Sequence, residues 1–145
     1  MTSNHICMSA QEVANKVTEV VLSKKNKFVM CNFASPNMVG HTGVYEATIK
    51  AIMATDKAVG TIYEVCKKAG YVLPITADHG NAEQILNPDT RVPHTAHTMN
   101  KVPFIITGES LDFVQDEEGA EEAGALADVV LTILAILGLE QPEGE

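Results

Sequence analysis

Tryptophan is absent from this chain, and only 5% of its 145 residues are aromatic, so any core has to be built from aliphatic side chains. Cations are scarce as well: 10 Lys and Arg face 19 Asp and Glu, a net charge of −9. That balance argues against nucleic acid as a partner, because such partners call for a basic surface. It argues equally against an anionic membrane surface. A phosphorylated substrate would find few counter-charges here, so bound cations or basic residues from elsewhere would have to supply them. No long hydrophobic run is present. The longest, Val129 to Leu139, has 11 residues and contains Thr132, where a membrane-spanning helix needs about 20. The first residues lack the basic start and apolar stretch of a signal peptide. A soluble, cytoplasmic protein is expected. Cys7, Cys31 and Cys66 are odd in number and none pairs at metal-finger spacing, which fits reduced thiols.

What is present is enough for one ordinary domain: 46% of residues are hydrophobic and 20% charged, a composition that folds. Ser9 and Glu12 have the spacing of a capping box, followed by Val13, Val17, Val20 and Val21, which predicts a helix over about 10–23. Phe28 to Phe33 is short, apolar and β-prone, and predicts a buried strand. Ala34 to Gly43 is expected to be a loop. A long helical pattern runs from Val44 to Ala69, with Tyr45, Ile49, Ile52, Val59, Tyr63 and Cys66 along one face and Gly70 as its stop. Asp56 falls on the same stripe, where an acid is expected to be paired or at the edge. Tyr71 to Ala77 and Val102 to Thr107 predict two further strands, although Pro74 fits a sheet edge better than a centre. The acidic run Asp112 to Glu122 is expected to face solvent. Leu126 to Leu137 predicts a buried final helix closed by Gly138. Alternating helices and apolar strands imply an α/β fold with a mainly parallel sheet covered on both faces.

In such sheets, sites form at the carboxyl ends of strands. The first predicted strand leads to Asn37 and His41, spaced i,i+4. The second leads directly to Asp78 and His79. A third segment carries His94 and His97. Four of the five histidines and one carboxylate thus lie in loops that can meet at one sheet edge, while His5 lies near the N-terminus and is expected to be exposed and neutral. Single loop histidines are usually solvated side chains, but a cluster of imidazoles with a carboxylate suits zinc or manganese better than calcium, which prefers oxygen alone. Asp78 and His79 are adjacent, and side chains diverge along extended backbone, so they can share an ion only where a turn folds them together.

The strings FASPNMVGHTG, TADHGNAEQ and HTAHT, in this order, resemble the C-terminal metal-binding motifs of the cofactor-independent phosphoglycerate mutases, members of the alkaline phosphatase superfamily. The resemblance runs from about Ser9 to Gly138. It implies that residues 1–145 are the C-terminal portion of an alkaline-phosphatase-like three-layer domain. It implies two divalent metal ions, manganese first, with magnesium, zinc or cobalt as alternatives. On the family pattern His41 and His97 hold the first ion, Asp78 and His79 hold the second, and His94 is a neighbour. Asn37 stands where the family has Asp. An amide oxygen can ligate but brings no negative charge, so a first site built on Asn37 is expected to bind hard cations less tightly.

The implied activity is the interconversion of 3-phosphoglycerate and 2-phosphoglycerate through a phosphoserine, with phosphoglycerate as the small-molecule substrate. No residue of this chain matches the family's nucleophilic serine, which is expected upstream with an inserted domain. The chain by itself is therefore expected to be inactive, poorly folded or self-associating. The alternatives are a non-catalytic stand-alone fragment or relic, or another metal-dependent phosphohydrolase of the superfamily.

Overall fold

The computed structural model describes residues 3–108, 111 and 124–142, with side chains from residue 9 onward. They fall into two units, Met1–Glu109 and Ser110–Glu145. The first contains helix α1 (Ser3–Ser23), the short helix α2 (Ser35–Gly40), helix α3 (Tyr45–Ala69) and strands β1 (Leu73–Thr76) and β2 (Phe104–Thr107).

Helices α1 and α3 make the core. Ala10, Ala14 and Val21 of α1 are buried against Ala58, Ile62 and Cys66 of α3, and Val17, Phe33, Val65, Ala69, Tyr71 and Leu73 pack around them. The spacing 10, 14, 17, 21 is one face of a helix, and three of the six central residues are alanine, which lets the two backbones come close. Helix α3 ends as expected: Gly70 takes φ 77° and its N–H bonds to the Cys66 carbonyl, the left-handed cap that glycine adopts without penalty.

The buried face of α3 is not the one its large residues mark. Thr48, Ala51, Ala58, Ile62 and Cys66 point inward, whereas Tyr45 and Ile52 remain 55% and 42% exposed. Small side chains decide the face because they permit the closer approach; size alone misleads the period. Asp56 lies on the exposed side. The start of α1 also departs from expectation. The helix begins at Ser3 rather than near residue 10, so Ser9 and Glu12 are interior positions and not a cap. No Gly or Pro lies between Ser3 and Ser9 to stop the helix extending backward.

The sheet corrects the sequence reading most. β1 and β2 pair antiparallel, with Leu73 opposite Thr107 and Thr76 opposite Phe104, so the expected mainly parallel sheet is not what these strands form. Residues 28–33 belong to no strand, and Phe28 and Met30 are exposed. A strand needs a hydrogen-bonding neighbour, and among the described residues β1 and β2 have only each other. Pro74 is accommodated because a two-stranded ribbon leaves one edge of each strand unpaired. The antiparallel pairing sets the carboxyl end of β1 beside the residues that lead into β2, so the chain after Thr76 and the chain before Phe104 meet at one end of the ribbon.

The expected loop at 34–43 contains α2, with Pro36 in its first turn, where its missing N–H costs nothing. In the second unit, helix α4 (Asp128–Ile136) forms within the predicted span, and Gly138 takes φ 67°. It has no buried residue, contrary to the expected burial, since this unit has no second described element to cover it. The acidic run at 112–122 lies outside the described residues.

Replacing fully buried Ala58 with Leu should destabilise the chain by about 1–3 kcal/mol through overpacking. Met53→Leu on the exposed face should stay within about 0.5 kcal/mol. Urea midpoints of the two variants check the pair.

Candidate metal centre

Three segments meet at the end of the ribbon. The first is α2 with its C-cap His41. The second is the bend Asp78-His79 that follows β1, and the third is residues 94–98. Gly80 and Thr98 form an antiparallel bridge, and the Thr98 N–H bonds to the Gly80 carbonyl at 2.8 Å. The second and third segments are therefore joined backbone to backbone.

His41 and Asn37 lie one turn apart on α2, and the His41 N–H bonds to the Asn37 carbonyl. The His41 ring is held at 2.6 Å from the Thr95 carbonyl through Nδ1. A carbonyl only accepts, so Nδ1 carries a proton, and in the tautomer that this bond selects Nε2 keeps its lone pair. That lone pair lies 3.2 Å from Nε2 of His97. Two imidazoles bound to one tetrahedral ion at ordinary metal–nitrogen lengths have their nitrogens about 3.3 Å apart. The side-chain oxygen of Asn37 is buried and meets no hydrogen-bond donor. A buried acceptor without a partner is costly, and a cation is one species that would satisfy it.

His79 stacks on His97, with ring centroids 3.6 Å apart and planes 17° from parallel. His79 Nδ1 is 3.3 Å from the Gly80 carbonyl, which again leaves Nε2 available, and Nε2 lies 3.5 Å from Asp78 Oδ1. The bend thus overcomes the divergence of adjacent side chains and brings these two donors to a spacing at which they can share an ion. Among the described residues no group of three or more His, Cys, Asp or Glu is placed to hold one ion by itself. The candidate donors fall instead into two pairs, His41 with His97 and Asp78 with His79. His94 is tied by its N–H to the Ile85 carbonyl, and its Nδ1 is buried without a partner. The side chain of His5 is not among those described.

Sequence reasoning missed the residues that hold these segments together. Asn81 is buried, its amide donates to the Ala96 carbonyl at 3.1 Å, and its side-chain oxygen rests against Gly40. A Cβ at Gly40 would lie 1.8 Å from that oxygen, so only glycine fits. Glu83 accepts from the Asn81 N–H at 2.6 Å through Oε2. Its Oε1 accepts from the Thr98 hydroxyl and from the Asn100 amide. Desolvation pushes the Glu83 carboxyl up, but the hydrogen bonds from Thr98, its own backbone, Asn100 and Asn81 outweigh it and hold the carboxyl below its ordinary value. Asn81 and Glu83 both lie in the TADHGNAEQ string, but nothing in their spacing announces a bridging role.

With this geometry in view, the likeness to known proteins becomes specific. Residues 2–141 match the Metalloenzyme superfamily, and the chain belongs to it. Within that class it is similar to enzymes named 2,3-bisphosphoglycerate-independent phosphoglycerate mutase. It is 53% identical to the one from Brugia malayi over 93% of this chain and 26% of the relative. It is 48% identical to phosphoglycerate mutase 2 of Methanosarcina acetivorans over 94% of this chain and 25% of the relative. Its fold is an α/β fold like that of Leishmania mexicana phosphoglycerate mutase, whose crystal structures were determined at low cobalt concentration. The TM-score is 0.85 at 30% identity, covering 97% of this chain and 28% of that one. The chain spans about a quarter of the length of these relatives. No described helix is long and apolar enough to cross a membrane.

Two outcomes are expected. Gly40→Ala should destabilise the chain by about 1–3 kcal/mol and expose Asn81, seen as a lower urea midpoint with faster amide exchange at 80–98. A glutamate whose folded value is depressed stabilises above its unfolded value, about 4.3, and the contribution fades as pH falls through the folded value. The Asn81 amide proton should therefore titrate with a midpoint below about 4.3; a midpoint at or above that value would contradict the Glu83 bonds.

Proposed function

We propose that this chain is part of a phosphoglycerate mutase of the cofactor-independent kind. In this reading it supplies one side of a two-metal site at which 3-phosphoglycerate and 2-phosphoglycerate are interconverted in the cytoplasm. The observation that carries the reading is the pair of imidazole nitrogens of His41 and His97 at 3.2 Å, with a buried, unpartnered side-chain oxygen on Asn37 one helical turn before His41. His41, His97 and Asn37 would hold one divalent ion, and Asp78 and His79 the other. Manganese is the first expectation, with magnesium, zinc or cobalt as alternatives. When bound, the ions would neutralise charge on the phosphoryl oxygens and lower the pKa of an attacking hydroxyl.

The chain's own residues do the holding. The Thr95 carbonyl fixes the tautomer and direction of His41, as an oriented ligand requires. The stack of His79 on His97 sets the two donor pairs side by side. The serine that would carry the phosphoryl group is proposed to lie in the three quarters of the relatives' length that this chain does not match, together with the basic residues a −9 chain lacks. The antiparallel ribbon would be one edge of the larger three-layer, mainly parallel sheet of the alkaline phosphatase superfamily.

Asn37 supports a second reading, a metal-binding but non-catalytic protein, because an amide brings no charge to the first ion. Restoring the carboxylate with Asn37→Asp should tighten manganese binding roughly tenfold, about 1.4 kcal/mol, measured by calorimetry. Unchanged affinity would remove Asn37 from the ligand set. Mutase activity regained by Asn37→Asp in a protein carrying the missing serine would select the first reading over the second.

A further inference from the structure

We propose that Glu83 is a positioning residue that couples the two donor pairs, so that neither ion site can be lost alone. This rests on the metal-site reading above. One oxygen of its carboxylate holds the Asn81 N–H, two residues after His79. The other holds the Thr98 hydroxyl, next to His97, and the Asn100 amide at 3.0 Å. Thr98 is in turn bonded through its N–H to Gly80. Glu83 therefore spans the segment carrying Asp78 and His79 and the segment carrying His97, and Asn81 extends the tie to α2 through Gly40 and to Ala96.

The chemistry requires a carboxylate. Every group named as bonding the Glu83 carboxylate donates: the Asn81 backbone N–H, the Thr98 hydroxyl, the Asn100 amide and the backbone N–H of Glu83 itself. A carboxylate offers acceptors on both oxygens. A Gln side chain offers one oxygen and one NH₂, so one of its faces must turn a donor towards a donor. Aspartate is one methylene shorter and cannot span both faces. Partners that orient metal ligands commonly change metal affinity by about 10–100-fold when removed.

The test is a cobalt(II) titration of the chain, followed by visible absorption and calorimetry, for the unsubstituted protein and for Glu83→Gln, Thr98→Val, Thr98→Ser and the Glu83→Gln/Thr98→Val double variant. Coupling predicts that Glu83→Gln weakens both cobalt steps together by about tenfold or more. Thr98→Val should do the same. Thr98→Ser, which keeps the hydroxyl, should bind like the unsubstituted chain, and the double variant should be no worse than Glu83→Gln. A residue that merely stabilises the fold would lower the melting temperature while the folded fraction bound cobalt with unchanged affinity. That result, weakening of one step only, or additive losses in the double variant would overturn the inference. If Glu83→Gln does not fold, Thr98→Val against Thr98→Ser decides the matter alone. Failure of the unsubstituted chain to bind cobalt would overturn the reading of these two pairs as metal donors and this inference together, whereas binding indifferent to Glu83 and Thr98 overturns only the inference.

Discussion

The organisation of this chain depends on a buried amide. Asn81 lies in the interior with its side-chain oxygen against the bare Cα of Gly40 and its NH₂ on the Ala96 carbonyl. Loops cannot be held in place by apolar contact alone, because their backbone groups need partners. Here a polar side chain enters the interior and supplies one. The two-stranded ribbon is too small to fix three loops by itself. The mutual placement of α2, the Asp78-His79 bend and the 94–98 segment falls instead to Asn81, to Glu83 and to the bridge between Gly80 and Thr98.

That arrangement explains how so acidic a chain brings histidines together. Each imidazole whose direction is set by a carbonyl keeps its other nitrogen free. His41 is fixed by Thr95, and His79 is turned towards Gly80. The His79 and His97 rings stack with centroids 3.6 Å apart. Asn37, one turn before His41, fits the same logic: its side-chain oxygen is buried and has no hydrogen-bond donor among the described residues. The negative charge that a carboxylate would have brought to that position is missing, while Asp78 retains it at the other pair.

Much of this was legible in the sequence and some was not. The long helix ending at Gly70 was legible because a left-handed cap has a clear residue signature. The three segments that carry Asn37, His41, Asp78, His79 and His97 were legible because they sit in strings too specific to be loop composition, and the structure brings these segments to one end of the ribbon; that their side chains hold metal is the proposal made above. Strand direction was not legible. Apolar strands separated by helices usually mean a parallel sheet, but the connection from Thr76 to Phe104 contains no helix among the described residues and closes as an antiparallel pair. The segment 28–33 reads as a strand from its side chains, yet a strand is a relation to a neighbour, and sequence pattern carries no information about whether the neighbour is there. The buried face of α3 was misread for a related reason. Tyr45 and Ile52 dominate any hydrophobic period, whereas the small Ala58 is what lets α1 approach. Asn81 and Glu83 were invisible because bridging hydrogen bonds have no period at all.

The measurement that tests the metal-site account most directly is a zinc titration followed by long-range proton–nitrogen spectra of the histidine rings, which resolve each nitrogen. The account predicts that Nε2 of His41, His79 and His97 moves to metal-bound shifts at stoichiometric zinc, with Nδ1 of His41 remaining protonated on Thr95 and the His94 ring unmoved. If no ring responds, or if His94 responds with the other three unchanged, the two donor pairs described here do not bind metal and the proposed site is wrong.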